Sequence, residues 1–129
     1  MSGYAIENLL LMDSSFSRET EMELDPAKLQ NTVNVDVQSS KPDGKLLVIM
    51  TVKFDQMFAD KIQATASVTM IGVFQKTGDS ELSEETFVNI NAPAIIYPFV
   101  REHIASLFLK AGCGSVLLPP FNFAAKRNG

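Results

Sequence analysis

Residues 91–114 read NAPAIIYPFVREHIASLFLKAGCG. Asn91 can cap a helix, and Pro93 falls in the first turn, where a missing N–H costs nothing. At the other end Lys110 sets a positive charge in the last turn, and Gly112 supplies the left-handed residue that stops helices. The spacing predicts a helix from Asn91 to Gly112. Pro98 is interior and removes one backbone hydrogen bond, which predicts a kink near residues 94–98. With about 100° of turn per residue, Ile96, Tyr97, Val100, Ile104, Leu107, Phe108 and Ala111 share one arc, the face expected to lie on a sheet.

The opposite arc carries Arg101, Glu102, Ser106 and Lys110, but also Ile95, Phe99 and Leu109. Single apolar side chains on a surface are ordinary and need no explanation. The other reading is a helix covered on both sides, which in a two-layer domain requires a second subunit. It is preferred because the sheet sequences are also apolar on more than one face. It places an oligomer interface at Ile95, Phe99 and Leu109, together with Val68 and Met70 of the sheet.

Working outward, the preceding two-thirds reads as strands. In NTVNVDVQS, Val33, Val35 and Val37 alternate with Asn34, Asp36 and Gln38. KPDGK at 41–45 is a turn, and KLLVIMTVKF resumes as a strand, so Val33 to Phe54 forms a hairpin. After a break around DQMFAD, the stretch IQATASVTMIGVF puts Ile62, Ala64, Ala66, Val68, Met70, Gly72 and Phe74 on one face. YAIENLLLMDSSF reads as a fourth strand, although its Leu9–Leu10–Leu11 run leaves a helix open. SRETEMELDPAKLQN is too long for a tight hairpin and reads as a crossover loop. Ser83 with Glu84 and Glu85 opens a shorter helical segment, because acidic residues suit a helix start.

The chain has 129 residues, and residues 1–129 are expected to form a single domain. Apolar residues make up 46% and charged residues 20%, a globular composition. A net charge of −4 with scattered basic residues argues against nucleic acid as a partner. One cysteine, Cys113, rules out an intrachain disulfide and fits a reducing compartment. The N-terminal stretch lacks signal-peptide character, and the apolar runs fall short of the roughly 20 residues that span a bilayer. A soluble, cytoplasmic protein without membrane insertion is expected.

Little here supports catalysis. His103 is the single histidine, so a multi-ligand metal site or a histidine triad has little to build with, and neither metal nor cofactor is expected. A Cys113–His103 dyad is conceivable, but both residues read more simply as structural. Asp55 and Asp60 flank a turn and offer a carboxylate pair, but acidic turn residues are far more often just solvated. Neither a phosphate-binding loop nor a dinucleotide fingerprint is present.

The segment NAPAIIYPFVREHIASLFLKAGCGSVLLPPFNF resembles the protein-export chaperone SecB family. Members carry a proline–aromatic–arginine–glutamate helix followed by a Pro-x-Asn-Phe ending. Here Pro93, Tyr97, Pro98, Phe99, Arg101 and Glu102 stand at the first set of positions, and Pro120, Asn122 and Phe123 at the second. The resemblance implies an α+β fold: a four-stranded antiparallel sheet with one long kinked helix and a shorter helical segment on one face. It implies a holdase that works without ATP, forms a homotetramer as a dimer of dimers, and binds unfolded polypeptides in apolar grooves. On this chain the groove is expected at Phe74, Val116, Leu118, Phe121 and Phe123. Delivery to the SecA translocation motor is implied through Asp13.

Three departures qualify the transfer. The family continues past Asn-Phe into a further helix, whereas FNFAAKRNG is too short for one, which predicts a more open groove. The crossover loop has no aromatic residue and offers Met22, Leu24 and Leu29. Ser17 and Ser67 stand where acids are common and Thr65 where an apolar contact is common, which predicts weakened SecA docking. A second reading follows: an oligomeric adaptor of the same fold, or a dedicated chaperone for one client such as an antitoxin. A small-molecule enzyme using His103 or Glu102 is the third and weakest.

Overall fold

The computed structural model describes residues 3–78 and 82–123. Four strands, β1 (Tyr4–Arg18), β2 (Leu29–Ser40), β3 (Leu46–Phe58) and β4 (Lys61–Lys76), form one antiparallel sheet in the order β1-β4-β3-β2. Two hairpins and one crossover generate that order. The β2–β3 hairpin pairs Val33 with Phe54, as the alternation predicts, and closes through Pro42–Gly44, with the Lys45 N–H donating to the Pro42 carbonyl. The β3–β4 hairpin turns on Ala59 and Asp60 alone, both at positive φ (51° and 65°), the conformation that fits the right-handed twist of paired strands. The expected break around DQMFAD is therefore confined to two residues, and Asp55 to Phe58 stay in β3. The intervening chain, residues 19–28, crosses from the β1 edge to the β2 edge.

Bulges account for what alternation alone misplaces. In β4, Ala64 pairs with Gln56 but Ile62 pairs with Met57, so Gln63 is an extra residue. A one-residue insertion switches faces. Gln63 is accordingly buried, while Ile62, expected among the core positions, is exposed. In β1 the extra residues are Glu7 and Met12. They break the alternation twice, which is why the Leu9–Leu10–Leu11 run looked ambiguous although β1 is a strand throughout.

A helical layer covers one face. It starts earlier than Asn91: Ser83 is the true cap, its Oγ accepting the Thr86 N–H at 3.1 Å. From α1 (Glu84–Thr86) the chain passes through a π-type turn, Phe87–Asn91, into α2 (Ala92–Lys110) without leaving helical geometry. Asn91 itself is helical and makes no side-chain cap. The wide turn has a physical reason in Pro93, whose ring would press on the carbonyl four residues earlier in a regular α-helix. At the far end Gly112 adopts φ 74°, and the Cys113 N–H reaches back to the Phe108 carbonyl at 3.0 Å.

The core lies between α2 and the two central strands. Ile96, Val100, Ile104 and Phe108 are fully buried against Val48, Met50, Val52, Phe54 and Val68. Phe108 meets Phe16 and Phe54 edge-on, both with ring centroids at 5.1 Å, and Tyr4 stacks on Phe87 at 4.1 Å. At Gly72 the packing leaves no room for a side chain, since a Cβ would sit 2.7 Å from Phe74 Cε2 and 3.0 Å from Ile96 Cδ1. Gly72→Ala is expected to lower unfolding free energy by about 1–3 kcal/mol in a urea titration, since overpacking forces side chains off their rotamers.

Candidate functional site

Beyond Gly112 the chain runs extended across the end of the helical layer. Tyr97 holds this segment: its hydroxyl donates to the Pro119 carbonyl at 2.7 Å, and its ring packs near Phe121 and Phe123 at 6.1 and 5.9 Å. On the opposite side the crossover loop is tied down by two polar residues. The Arg18 guanidinium donates to the carbonyls of Glu19, Thr20 and Ala111, joining β1, the loop and the helix C-terminus. The bulged Gln63 exchanges hydrogen bonds with the Glu23 backbone, accepting its N–H at 2.7 Å and donating to its carbonyl at 3.0 Å. Asp25 then caps the short turn Pro26–Lys28 that leads into β2.

Between these two walls lies a cavity of about 250 Å³, lined by Leu24, Pro26, Leu29, Asn31, Gln56 and residues 113–117. Its rim is apolar and open: Leu117 is 82% exposed and Leu24 is exposed as well. Val116 also borders a second cavity of about 310 Å³ against Glu102, Ala105, Ser106 and Leu109 on α2.

Of the expected groove residues, Val116 is half-buried and lines both cavities, while Phe121 is half-buried against Tyr97 and Phe123. Phe74, Leu118 and Phe123 are not open to a ligand. Phe74 and Leu118 are fully buried, Phe123 nearly so, and Phe74 sits edge-on to Phe87. Their side chains belong to the core of this chain. Of the residues that do reach the cavity, Leu24 and Leu29 are those the crossover loop was expected to offer, whereas Leu117 and Gln56 were not among those expected. Gln56 had a signal: it continues the series Val48, Met50, Val52, Phe54, so a polar side chain interrupts an otherwise apolar face. Arg18 and Gln63 had none, because the backbone groups they tie in from other elements, at Ala111 and Glu23, are far away in sequence.

Ile95, Phe99 and Leu109 are exposed on the outer side of α2, Phe99 by 52% and Leu109 by 63%. Val68 and Met70, grouped with them as interface residues, instead face α2 from β4 and are buried within the chain. Burial under its own helix leaves neither side chain for a second subunit. The helix layer is narrower than the sheet. Ile6 and Leu11 on the helix side of the β1 edge stay exposed, as do Leu10 and Met12 of the same strand.

Asp13 is exposed on β1, paired with Thr69. The outer face around it is a field of hydroxyls, Ser15, Ser17, Thr65, Ser67 and Thr69, in which Thr51 and Thr69 join at 2.9 Å and Thr65 donates to the buried Asp55. Asp55 is thus a hydrogen-bonded strand residue and not half of a turn pair with Asp60. His103 Nε2 lies 2.9 Å from Ser14 Oγ, whereas the Cys113 thiol packs on the Met22 thioether at 3.9 Å, so the two form no dyad. Among the described residues no cluster of His, Cys, Asp and Glu could hold a metal ion, and no helix is long and apolar enough to cross a membrane.

Together these features define a helix-on-sheet module whose apolar material exceeds what its own two layers cover. Residues 3–126 match the family model described as preprotein translocase subunit SecB, and the chain belongs to the SecB family. It is 30% identical to the protein-export protein SecB of Alkalilimnicola ehrlichii, over 95% of this chain and 66% of the relative. It is 32% identical to that of Saccharophagus degradans, over 96% of this chain and 76% of the relative. The chain thus spans about two-thirds to three-quarters of the length of these relatives. The fold is also similar to a SecB-like chaperone of Mycobacterium tuberculosis solved with a ChAD peptide from the HigA1 antitoxin. The TM-score is 0.78 at 14% identity, covering 92% of this chain and 91% of the other.

Tyr97 gives the site a pH signature. Burial raises its pKa above the ordinary 10.0, an effect that Arg101 partly opposes. The neutral phenol is therefore favoured in the folded state, so its contribution is whole below about pH 10 and is lost as pH rises through the folded pKa. Tyr97→Phe should lose about 1 kcal/mol at neutral pH with the Pro119 hydrogen bond. It should also show a shallower fall in stability above pH 10 than wild type, both read from denaturant titrations across pH.

Proposed function

We propose that this chain acts as an ATP-independent holdase, a single SecB-like domain that binds unfolded or precursor polypeptides and performs no catalytic step. The observation that carries this reading is the open apolar rim of Leu24 and Leu117 between the crossover loop and the post-helix segment. Adaptable apolar surface with polar surroundings suits clients of varied sequence. The reading includes a cytoplasmic homo-oligomer, a dimer of dimers, in which Ile95, Phe99 and Leu109 meet another subunit. Exposed helix faces of this kind are covered in stable assemblies. SecA is proposed as a delivery partner only through Asp13, within a face where hydroxyls replace the charge that would steer docking.

A second reading is a dedicated chaperone for one client, such as an antitoxin. It is favoured by a crossover loop without aromatic residues, which narrows the grip on generic aromatic segments, and by the antitoxin peptide held by the Mycobacterium tuberculosis structural neighbour.

The test uses exposed positions, so that folding is spared. Leu117→Asp is expected to weaken capture of a slow-folding client diluted from denaturant by about tenfold or more, measured as aggregation suppression and co-elution, with the melting temperature unchanged. Full capture by the variant would remove the rim from the site. Capture of an antitoxin but of no other denatured protein would select the dedicated chaperone. Phe99→Asp is expected to lower the mass measured by light scattering. A monomeric wild type would end the oligomer proposal.

A further inference from the structure

The margin between α2 and the β1 edge carries a polar contact. His103 Nε2 lies 2.9 Å from Ser14 Oγ, and the imidazole is half-buried. Ser14 stands on the helix side of β1, in register with Val68, and interrupts a series that otherwise reads Leu9, Leu11, Phe16. Ile96 lies over Gly72, the β4 partner of Leu9, while His103 reaches Ser14. The helical turn between them therefore brings Phe99, four residues before His103, alongside Leu11. Phe99, Leu11 and Met12 are all exposed. The histidine thus borders an uncovered apolar strip, and histidine is the side chain whose charge changes between about pH 5 and 8.

We infer that His103 makes self-assembly sensitive to pH: as a neutral ring it lets a second copy of this chain cover the strip, and as an imidazolium it holds the copies apart. The inference rests on the oligomer reading and assigns a control to it. A second copy is the occupant that the strip fits. Two chains of net charge −4 repel, so they meet best where neither surface is charged, and Leu11, Met12, Ile95 and Phe99 offer such a surface. A two-fold contact brings the same patch of both copies together, so a charge on it faces its own kind.

The surroundings do little to offset that charge. A neutral imidazole can bond Ser14 in either direction, whereas an imidazolium only donates and needs water or a carboxylate besides. Among the described residues no ion pair involves His103. On α2, Glu102 is turned away by about 100°, and Lys110 lies about two turns further along the same side, where it adds positive charge. On β1, Asp13 faces the outer side of the sheet beside Thr69, and Arg18 is engaged by the Ala111 carbonyl. Covering the strip would bury the imidazolium without an opposite charge, so assembly expels the proton or protonation parts the copies.

The test is the mass of the full chain by light scattering behind a sizing column, across dilution, in buffers from about pH 8 to about pH 5.5. Wild type should assemble at the upper end and dissociate toward the lower. With one proton released per chain, a two-chain contact should weaken by up to about a hundredfold in Kd per pH unit. H103Q keeps a polar reach to Ser14 without a titratable ring and should assemble alike across the range. H103K carries its charge throughout and should stay dissociated even at the upper end. The comparison of wild type with H103Q decides the matter even where H103K fails to fold. A wild-type oligomer whose mass ignores pH would overturn the role of His103 and leave the oligomer reading standing. So would an H103Q variant that dissociates on acidification as wild type does. A wild type that is monomeric throughout would overturn both.

Discussion

The seating of α2 on the two central strands is the contact from which the rest of the structure follows. Small residues on β4, namely Ala64, Ala66 and Gly72, let the helix come close, and Ile96, Val100, Ile104 and Phe108 fill the space above them. One helix cannot cover four strands. It lies over β3 and β4 and leaves the helix side of both edges short of cover. Apolar side chains on β1 remain exposed as a result, and an open cavity remains at the loop end of β2 and β3. A domain with a wider helical layer would have closed these surfaces. Here the geometry of a narrow lid on a wide sheet leaves apolar surface uncovered.

Keeping such surface open without collapse requires rigid walls, and polar groups supply them. Arg18 on β1 gathers three carbonyls, two from the crossover loop and one from the helix C-terminus, and Gln63 locks the crossover loop to β4. Each satisfies backbone groups that would otherwise need water, so the loop keeps its place without burying its own leucines. Tyr97 serves the other wall in the same way through Pro119. The loop and the post-helix segment are thus each held by hydrogen bonds, and an open cavity remains between them. Membership of the SecB family is consistent with this division of labour.

The outer sheet face follows a different logic. It has hydroxyls where charge would strengthen docking, and the exposed acid Asp13 on β1 stands among serines and threonines. Hydroxyl ladders stabilise neighbouring strands but steer partners weakly over distance. Toward its other end the same face turns apolar, with Leu10, Ile71 and Ile49 in register and Val73 beside Leu47.

Periodicity was enough for β2, β3 and β4, the β2–β3 register and the core arc of α2, because each depends on neighbours within a few residues, whereas the Leu9–Leu10–Leu11 run left β1 open. The helix stop at Gly112 was legible for the same reason. The exposed trio Ile95, Phe99 and Leu109 also followed from the angle per residue. What periodicity could not show was anything requiring a count across strands. The bulges at Glu7, Met12 and Gln63 shift faces only relative to a partner strand, so Ile62 was misplaced and Gln63 overlooked. The helix start moved from Asn91 to Ser83 because a π-type turn accommodates Pro93, a choice made by the packed chain. Val68, Met70, Phe74, Leu118 and Phe123 were read as surface for partners, yet only tertiary packing decides which apolar residues a domain keeps for itself. Composition sets how much apolar material there is, and the fit of one helix on four strands sets where it is left over.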